Sequence, residues 1–553
     1  MKIIFEGSKY ETSFLETYLN RRFFSPANNP FYSIVDYVGY YYNSQINDPV
    51  IILPKVFIYE NGLAFGKYSP QDILSPNAIT KEKFKKDGSD KLLFSISTWI
   101  YQAIIQFRKR QKETSIIENE EINNIISNFG DSDNTELDII LSLIKFHKEN
   151  QQLFTHVSKL NHMGRKVAWN KTVSKYTPYL CDNTPIYSNV AAKKKTVDFD
   201  EELIVLFYSV LNYIRITFGF NIVLNQNYDL IKGREFERLL VNGTRKLKVI
   251  KNRYFTDKFV ALWKLLYTFF EHSETNKKSN KIQEEVLLIK SFNIVFEDMI
   301  DDLIGDKNSD IPRYFSDQLD GKRVDHLYLY QSLIMNDKIY FVGDSKYYKP
   351  GNSIGKHSVE KQYTYARNII QYNINLFNKD NLPIGIRYRD PLTEGYNITP
   401  NFFICAFVDP NFDFFKDGLN EEKGSNTTEF QYHFEGRLFD RDTLLIQRYN
   451  INFLFVLYAY TSRSSLMKAS FKNKARKQFR DRMIDFFNVN YCFYTVTPIS
   501  MTLEDFVDKY FRQLNGKMYR SSSMSDKLIV AIEKTTSSSF SIEDCICESF
   551  LLS

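Results

Sequence analysis

Apolar positions along the chain change period several times, and each change marks an element. Val50 to Tyr59 is a β-rich run interrupted by Pro54, so an edge or a bend is expected there, with Glu60-Asn61-Gly62 as the turn that follows. From Lys91 to Arg110 the spacing turns helical, with Leu92, Ile96, Trp99, Ile100, Ala103 and Phe107 on one face. Ile116 to Phe154 also reads as helices, broken at Gly130 to Asn134. Leu160 to Phe199 is a mixed loop region, and helices resume at Glu201–Phe218 and Phe255–Phe270. Leu203 to Leu224 is long enough to span a bilayer. It contains Asn212, Arg215 and Asn221, however, and a central Arg costs about 2.5–3.5 kcal/mol on insertion. A buried helix ending near Gly219 is therefore expected.

Ser273 to Lys281 contains no apolar residue and is predicted to be a linker. It divides the chain into a β-rich part (1–85), a mainly helical part (86–272), the linker (273–281), a core (282–515) and a Ser/Thr-rich tail (516–553). A helix over Ile282–Leu303 opens the core, and strands and helices then alternate to about residue 500. The tail is expected to pack loosely, with one short helix near Lys527–Glu533.

Composition adds exclusions. With 553 residues, 43% hydrophobic and 25% charged, the chain can bury a sizeable core. Five scattered cysteines do not form a disulfide framework and favour a reducing compartment. The first residues lack the apolar core of a signal peptide, so a soluble cytoplasmic protein is expected. A net charge of +6 is too small to specify a nucleic-acid partner unless it is clustered. One cluster exists. Arg463 to Arg482 holds eight basic residues against Asp481, and Met467, Phe471, Ala475, Phe479 and Met483 form an apolar stripe on the same helix. Lys468, Lys472, Arg476 and Arg480 make a neighbouring ridge that could meet DNA phosphates or form a solvated face.

The chemistry-bearing stretch is Lys322 to Tyr330 followed by Ile339 to Tyr348. Both halves read as strands. Alternation puts Asp344 and Lys346 on one face and Ser345, with His326, on the opposite faces. An acid and a lysine on a buried strand are costly without a partner or a task. Two carboxylates, Asp325 and Asp344, suit a hard divalent cation, and Lys346 suits charge on a phosphate. Register is the test. A two-residue turn at Asn336-Asp337 would place Asp344 opposite Leu329, leaving the acids roughly 13 Å apart at about 3.3 Å per residue. A wider connection is therefore required, or Asp320 replaces Asp325. Histidines and cysteines, Cys545-Ile546-Cys547 included, lack zinc spacing, and no phosphate-binding loop of the G-x-x-x-x-G-K-[ST] type is present.

This order of acids and lysine resembles the PD-(D/E)XK nucleases, with Val324 in place of the proline. Glu297, on the preceding helix, matches the glutamate that completes the metal shell through a water. Gln362 and Tyr365 resemble the Gln-x-x-Tyr element of RecB-like nucleases. Asp344-Ser345-Lys346-Tyr347-Tyr348, Lys349-Pro350-Gly351 and Glu360 to Ala366 resemble the LlaJI-type restriction endonucleases, which are similar to McrC-like subunits. Ile52–Phe57, Gly164–Thr172 and Arg448–Leu454 extend the resemblance, and Ser345 replaces the usual alanine.

The resemblance implies an α/β (α+β mixed sheet) PD-(D/E)XK nuclease core with a large N-terminal β-then-α region, acting as an Mg²⁺-dependent DNA endonuclease of a restriction, anti-phage system. Mn²⁺ would substitute. It implies Asp325, Asp344 and the Ser345 carbonyl as metal ligands, and Lys346 as the group that positions water. Gln362 would support the lysine or the water, and Tyr365 would assist. Double-stranded DNA, a McrB-like AAA+ GTPase, a cognate cytosine methyltransferase and a second copy of the chain are the implied partners, with the helical part (86–272) expected to recognise DNA or dock a partner. A RecB-like repair nuclease and a non-cleaving DNA-binding scaffold subunit are the alternatives.

Overall fold

A computed structural model describes residues 2–553 except 44–48, 115–124, 129–135, 152, 154, 162–165, 200, 219–221, 279–283, 307–323, 350–351, 353, 378–385, 422–427, 432–435, 463, 525 and 536–541. Asp320, the break at 130–134 and residues 279–281 of the expected linker lie outside the described residues. The chain forms two compact units. One holds residues 41–49 and 127–286, and the other holds 2–40, 50–126 and 287–553. Residues 2–40 and 50–126 thus fall in one unit with 287–553, and the units change at 286/287, just past the expected division at 273–281.

The first unit contains helices Glu136–Glu149, Glu202–Phe218, Gly233–Ile250 and Asp257–Lys278. Its loop region carries a three-stranded sheet in which Ala192–Asp198 pairs with Thr155–Asn161 and Lys166–Val167. Among the described residues no helix is long and apolar enough to cross a membrane. The polar run from Ser273 is not a linker through residue 278, because it is the last turns of Asp257–Lys278. Glu274 there accepts hydrogen bonds from Thr244 N at 3.0 Å and Thr244 Oγ1 at 2.7 Å. A helix end needs no apolar residue when its polar side chains find partners on a neighbouring helix.

In the second unit, β1 (Lys2–Phe5) lies parallel to β2 (Val50–Leu53). Pro54 ends β2 and the chain bends into a short 3-10 turn, Lys55–Phe57. Helix α1 (Ser89–Thr114) matches the expected helical spacing. Instead of one helix from Ile282, the chain forms a strand at Glu284–Ile289 and then α2 (Phe292–Ile304). Then come β3 (His326–Gln331), β4 (Lys338–Lys346), α3 (Lys356–Phe377), β5 (Thr399–Phe407) and β6 (Leu444–Asn452). The sheet runs β3-β4-β5-β6, with Asn420–Glu421 and Thr428–Gln431 pairing on β6. β3 and β4 are antiparallel, and β4, β5 and β6 are parallel. This is a mixed α/β arrangement. Helices α4 (Phe453–Thr461) and α5 (Ser465–Asn490) follow.

The segment from 516 is not a loose tail. Leu528–Glu533 is a buried strand, not a helix, and lies between Met518–Tyr519 and Tyr491–Pro498. Leu-Ile-Val-Ala-Ile is apolar on both faces, as a covered strand requires. The serines before it are anchored too, since Ser522 N donates to Asp337 Oδ1 at 3.2 Å.

Helix α5 corrects the expectation for the basic ridge. Phe471, Ala475, Phe479 and Met483 are buried as expected, but Arg476 and Arg480 are buried as well. Lys472 Nζ donates to Gly305 O at 2.5 Å and Arg476 Nε to Ile304 O at 2.9 Å. These carbonyls close α2, where helix ends lack internal donors and attract cations. Arg476 also reaches Asp306 at 2.6 Å, and Lys468 reaches Asp302 at 2.6 Å. Arg480 donates to Ser332 O and Ser553 O. All four ridge side chains are therefore committed within the unit. Changing Lys472, Arg476 and Arg480 together to Gln should cost at least roughly 3 kcal/mol, the scale of a broken buried ion pair. A lower urea midpoint would report it. Unchanged stability with weakened DNA binding would show instead that the ridge serves DNA.

Candidate active site

The antiparallel register of β3 and β4 pairs His326 with Gly343 and Gln331 with Lys338. One residue further, Asp325 stands opposite Asp344. The connection is residues 332–337, not a two-residue turn, which moves the pairing by four residues and brings the acids together. That loop is held by Ser332 N donating to Asp337 O at 2.7 Å and by Tyr519 OH donating to Asp337 Oδ2 at 3.1 Å.

The two faces of β4 have separate tasks. On one, Gly343 and Ser345 point away from the acids, and Tyr347, just past the strand, packs on Phe292 and Phe296 of α2. A Cβ on Gly343 would come within 2.3 Å of the Phe402 ring, so this position excludes a side chain. Ser345 Oγ lies 2.5 Å from His326 Nε2, and His326 is fully buried. The Ser345 side chain is thus turned away from the acids, as alternation predicts. On the other face, covered by α3, Asp344 is almost fully buried. Its Oδ2 accepts no hydrogen bond of good geometry and lies 2.5 Å from Lys346 Nζ. Lys346 Nζ sits 5.5 Å from the centre of the Phe403 ring, and Phe403 aligns with Asp344 across β4 and β5.

Asp325 is held well above the usual carboxylate range, first by burial and then by the negative charges of Glu297 and Asp344. Glu297, on α2, is also raised by burial, and Asn293 Nδ2 donates to it at 3.3 Å. The three acids therefore belong to one electrostatic cluster. Gln362 is buried on α3, but it does not meet Lys346. Its amide donates to Val342 O at 2.9 Å and lies 3.5 Å from Asn401 Oδ1, fastening α3 where β4 pairs with β5. The sequence expects it to support the lysine or the water; its amide nitrogen here braces the strand.

Tyr365 is buried one turn along, and Lys361 Nζ lies 5.2 Å from the centre of its ring. Lys361 was not singled out from the sequence. Burial pushes its ammonium down, but Tyr365, Asp325 and Asp344 outweigh that and hold it above the ordinary lysine value. The available signal was its position, one residue before Gln362 and four before Tyr365, a spacing that shares a helix face with the tyrosine.

Among the described residues no group of three or more His, Cys, Asp or Glu closes on one point. The donor set that fits a cation is the Asp325–Asp344 pair, whose carboxylates are crowded and include the Asp344 Oδ2 just described. Oxygen donors of this kind suit Mg²⁺, which binds through one or two carboxylates and keeps several waters.

No family model and no curated protein matches the chain. Among solved structures, a refined half-complex from a tetradecameric assembly of Thermococcus gammatolerans McrB AAA+ hexamers with bound McrC aligns over 86% of this chain and 99% of that chain, at 11% identity and a TM-score of 0.25. That score is below the level of a shared fold.

The raised Asp325 carboxyl sets a pH dependence for the metal-free protein. Between the ordinary value near 4 and its folded value, the native state binds more protons than the unfolded chain, so stability falls as pH rises. In chelator, the melting temperature should drop from pH 5 to pH 7.5. Asp325→Asn should melt higher than the parent at pH 7.5 and show a flatter profile. A variant that melts lower there would refute the crowding of the acids.

Proposed function

We propose that the second unit hydrolyses phosphodiester bonds in DNA with a divalent cation, as the nuclease of a restriction system. The observation that carries this reading is the placement of Asp325 directly opposite Asp344, with Lys346 on the same face. Asp325 and Asp344 would hold the cation, the Ser345 carbonyl would assist, and Glu297 would act from α2 through a water. When bound, the cation neutralises phosphate charge and lowers the pKa of water.

The residues of the chain account for the rest. Lys346, held by Asp344, presents an ammonium that can orient the attacking water or take charge from a phosphate oxygen. Lys361 adds a second positive charge from α3. The water gives up a proton to solvent as its oxygen bonds to phosphorus, the bond from phosphorus to the leaving sugar oxygen breaks, and that oxygen takes a proton back from solvent. Gln362 fixes the strand that carries Asp344. DNA as substrate and a McrB-like AAA+ partner rest on the sequence resemblance alone.

Two variants test the reading on closed circular plasmid with Mg²⁺, with and without a candidate AAA+ partner. Asp344→Ala should abolish cleavage while retaining the parent circular dichroism spectrum. Lys361→Ala should slow cleavage by roughly 10²-fold, the scale of one lost charge-stabilising group. Full activity in Asp344→Ala would refute the site. Cleavage of linear ends but not of closed circles would favour a repair nuclease.

A further inference from the structure

Just beyond Lys346, where β4 ends, Tyr347 and Lys349 meet Glu6 and Gly7 near the start of the chain. Glu6 is buried, and its Oε2 accepts hydrogen bonds from Tyr347 OH at 2.5 Å and Lys55 N at 3.1 Å. Lys55 N also donates to Tyr347 OH at 3.0 Å. Tyr347 itself is buried against Phe292, Phe296 and Phe453. This knot fixes the backbone from which two lysines project. Lys349 Nζ donates to Gly7 O at 3.0 Å, and Lys55 Nζ lies 4.0 Å from Glu6 Oε1.

Gly7 sits between the two lysine stems. It has φ +68°, and a Cβ there would lie 3.4 Å from Lys349 Nζ and 4.0 Å from Lys55 Cβ. Both lysines are partly exposed. Their mutual repulsion, after burial, pushes the Lys349 ammonium below its ordinary value. One buried carboxylate faces two ammonium groups, and each ammonium has three donors, of which Lys349 spends one on Gly7. Donors on both ammonium groups therefore remain for a further anion. Lys349 also lies at most about 11 Å along the chain from Lys346, by extended backbone length. That is about three base steps of a DNA strand.

We propose that Lys55 and Lys349 form a site for a DNA backbone phosphate beside the cut. The N-terminal segment then supplies part of the substrate groove. The site rests on the nuclease reading above, because that reading supplies the DNA.

The test uses the full chain carrying Asp344→Ala, so that DNA stays intact, with Ca²⁺ present. Affinity for a duplex is measured against salt concentration, with and without Lys55→Gln and Lys349→Gln together. The double change should weaken binding and flatten the log–log salt slope by about 0.9, the value for one phosphate contact. Lys55→Arg with Lys349→Arg should restore most of the slope. An unchanged slope overturns the site, and a lowered melting temperature with that unchanged slope shows that the lysines only brace Glu6 and Gly7. If the Asp344→Ala parent shows no salt-dependent binding, DNA is not the ligand, and the nuclease reading falls together with the site.

Discussion

Two carboxylates brought face to face on neighbouring strands are the constraint around which the second unit is organised. The pairing of His326 with Gly343 carries Asp325 to Asp344, and burial then keeps water from screening them. Left alone, such a pair would push the strands apart or shift the register. The register is instead fixed away from the acids. The 332–337 loop is closed by Asp337, which also accepts from Tyr519 and Ser522 near the C-terminal end of the chain. The positive charges of Lys346 and Lys361, one on the strand and one on the covering helix, offset part of the repulsion.

Helix α2 is the second organising element, because its acids are divided between two purposes. Asp298 and Asp302 bind Arg110 of α1, Asp298 accepts from Tyr460 OH, and Asp302 also binds Lys468. Its C-terminal carbonyls are capped by Lys472 and Arg476. Those contacts hold the helix from both sides, and Glu297 remains for the acid cluster. Glu6 comes from residues 2–40 and Arg110 from residues 50–126. Their contacts tie those two segments to the same unit as β4, more than 150 residues away in sequence.

The acids and their neighbours were legible because they obey local rules. Alternation along a strand put Asp344 with Lys346 and turned Ser345 away, and the contact of Ser345 with His326 bears out that geometry. Spacing of three on a helix put Gln362 and Tyr365 on one side of α3. The helical period of Lys91 to Arg110 and the bend at Pro54 were equally local, since each depends on backbone preferences within a few residues.

Tertiary contacts decided the features where sequence reasoning failed. A basic ridge looks the same whether it faces phosphates or the carbonyls ending another helix, and only the position of α2 chose the second for Lys472 and Arg476. A polar run reads as a linker until Thr244 is found to anchor Glu274. An apolar run of five reads as a helix or a strand until Tyr491–Pro498 supplies a partner for Leu528–Glu533. Residue types and their periods were thus determined by the sequence itself. Register, charge pairing and unit membership were decided by the fold, because they depend on partners that lie tens to hundreds of residues away.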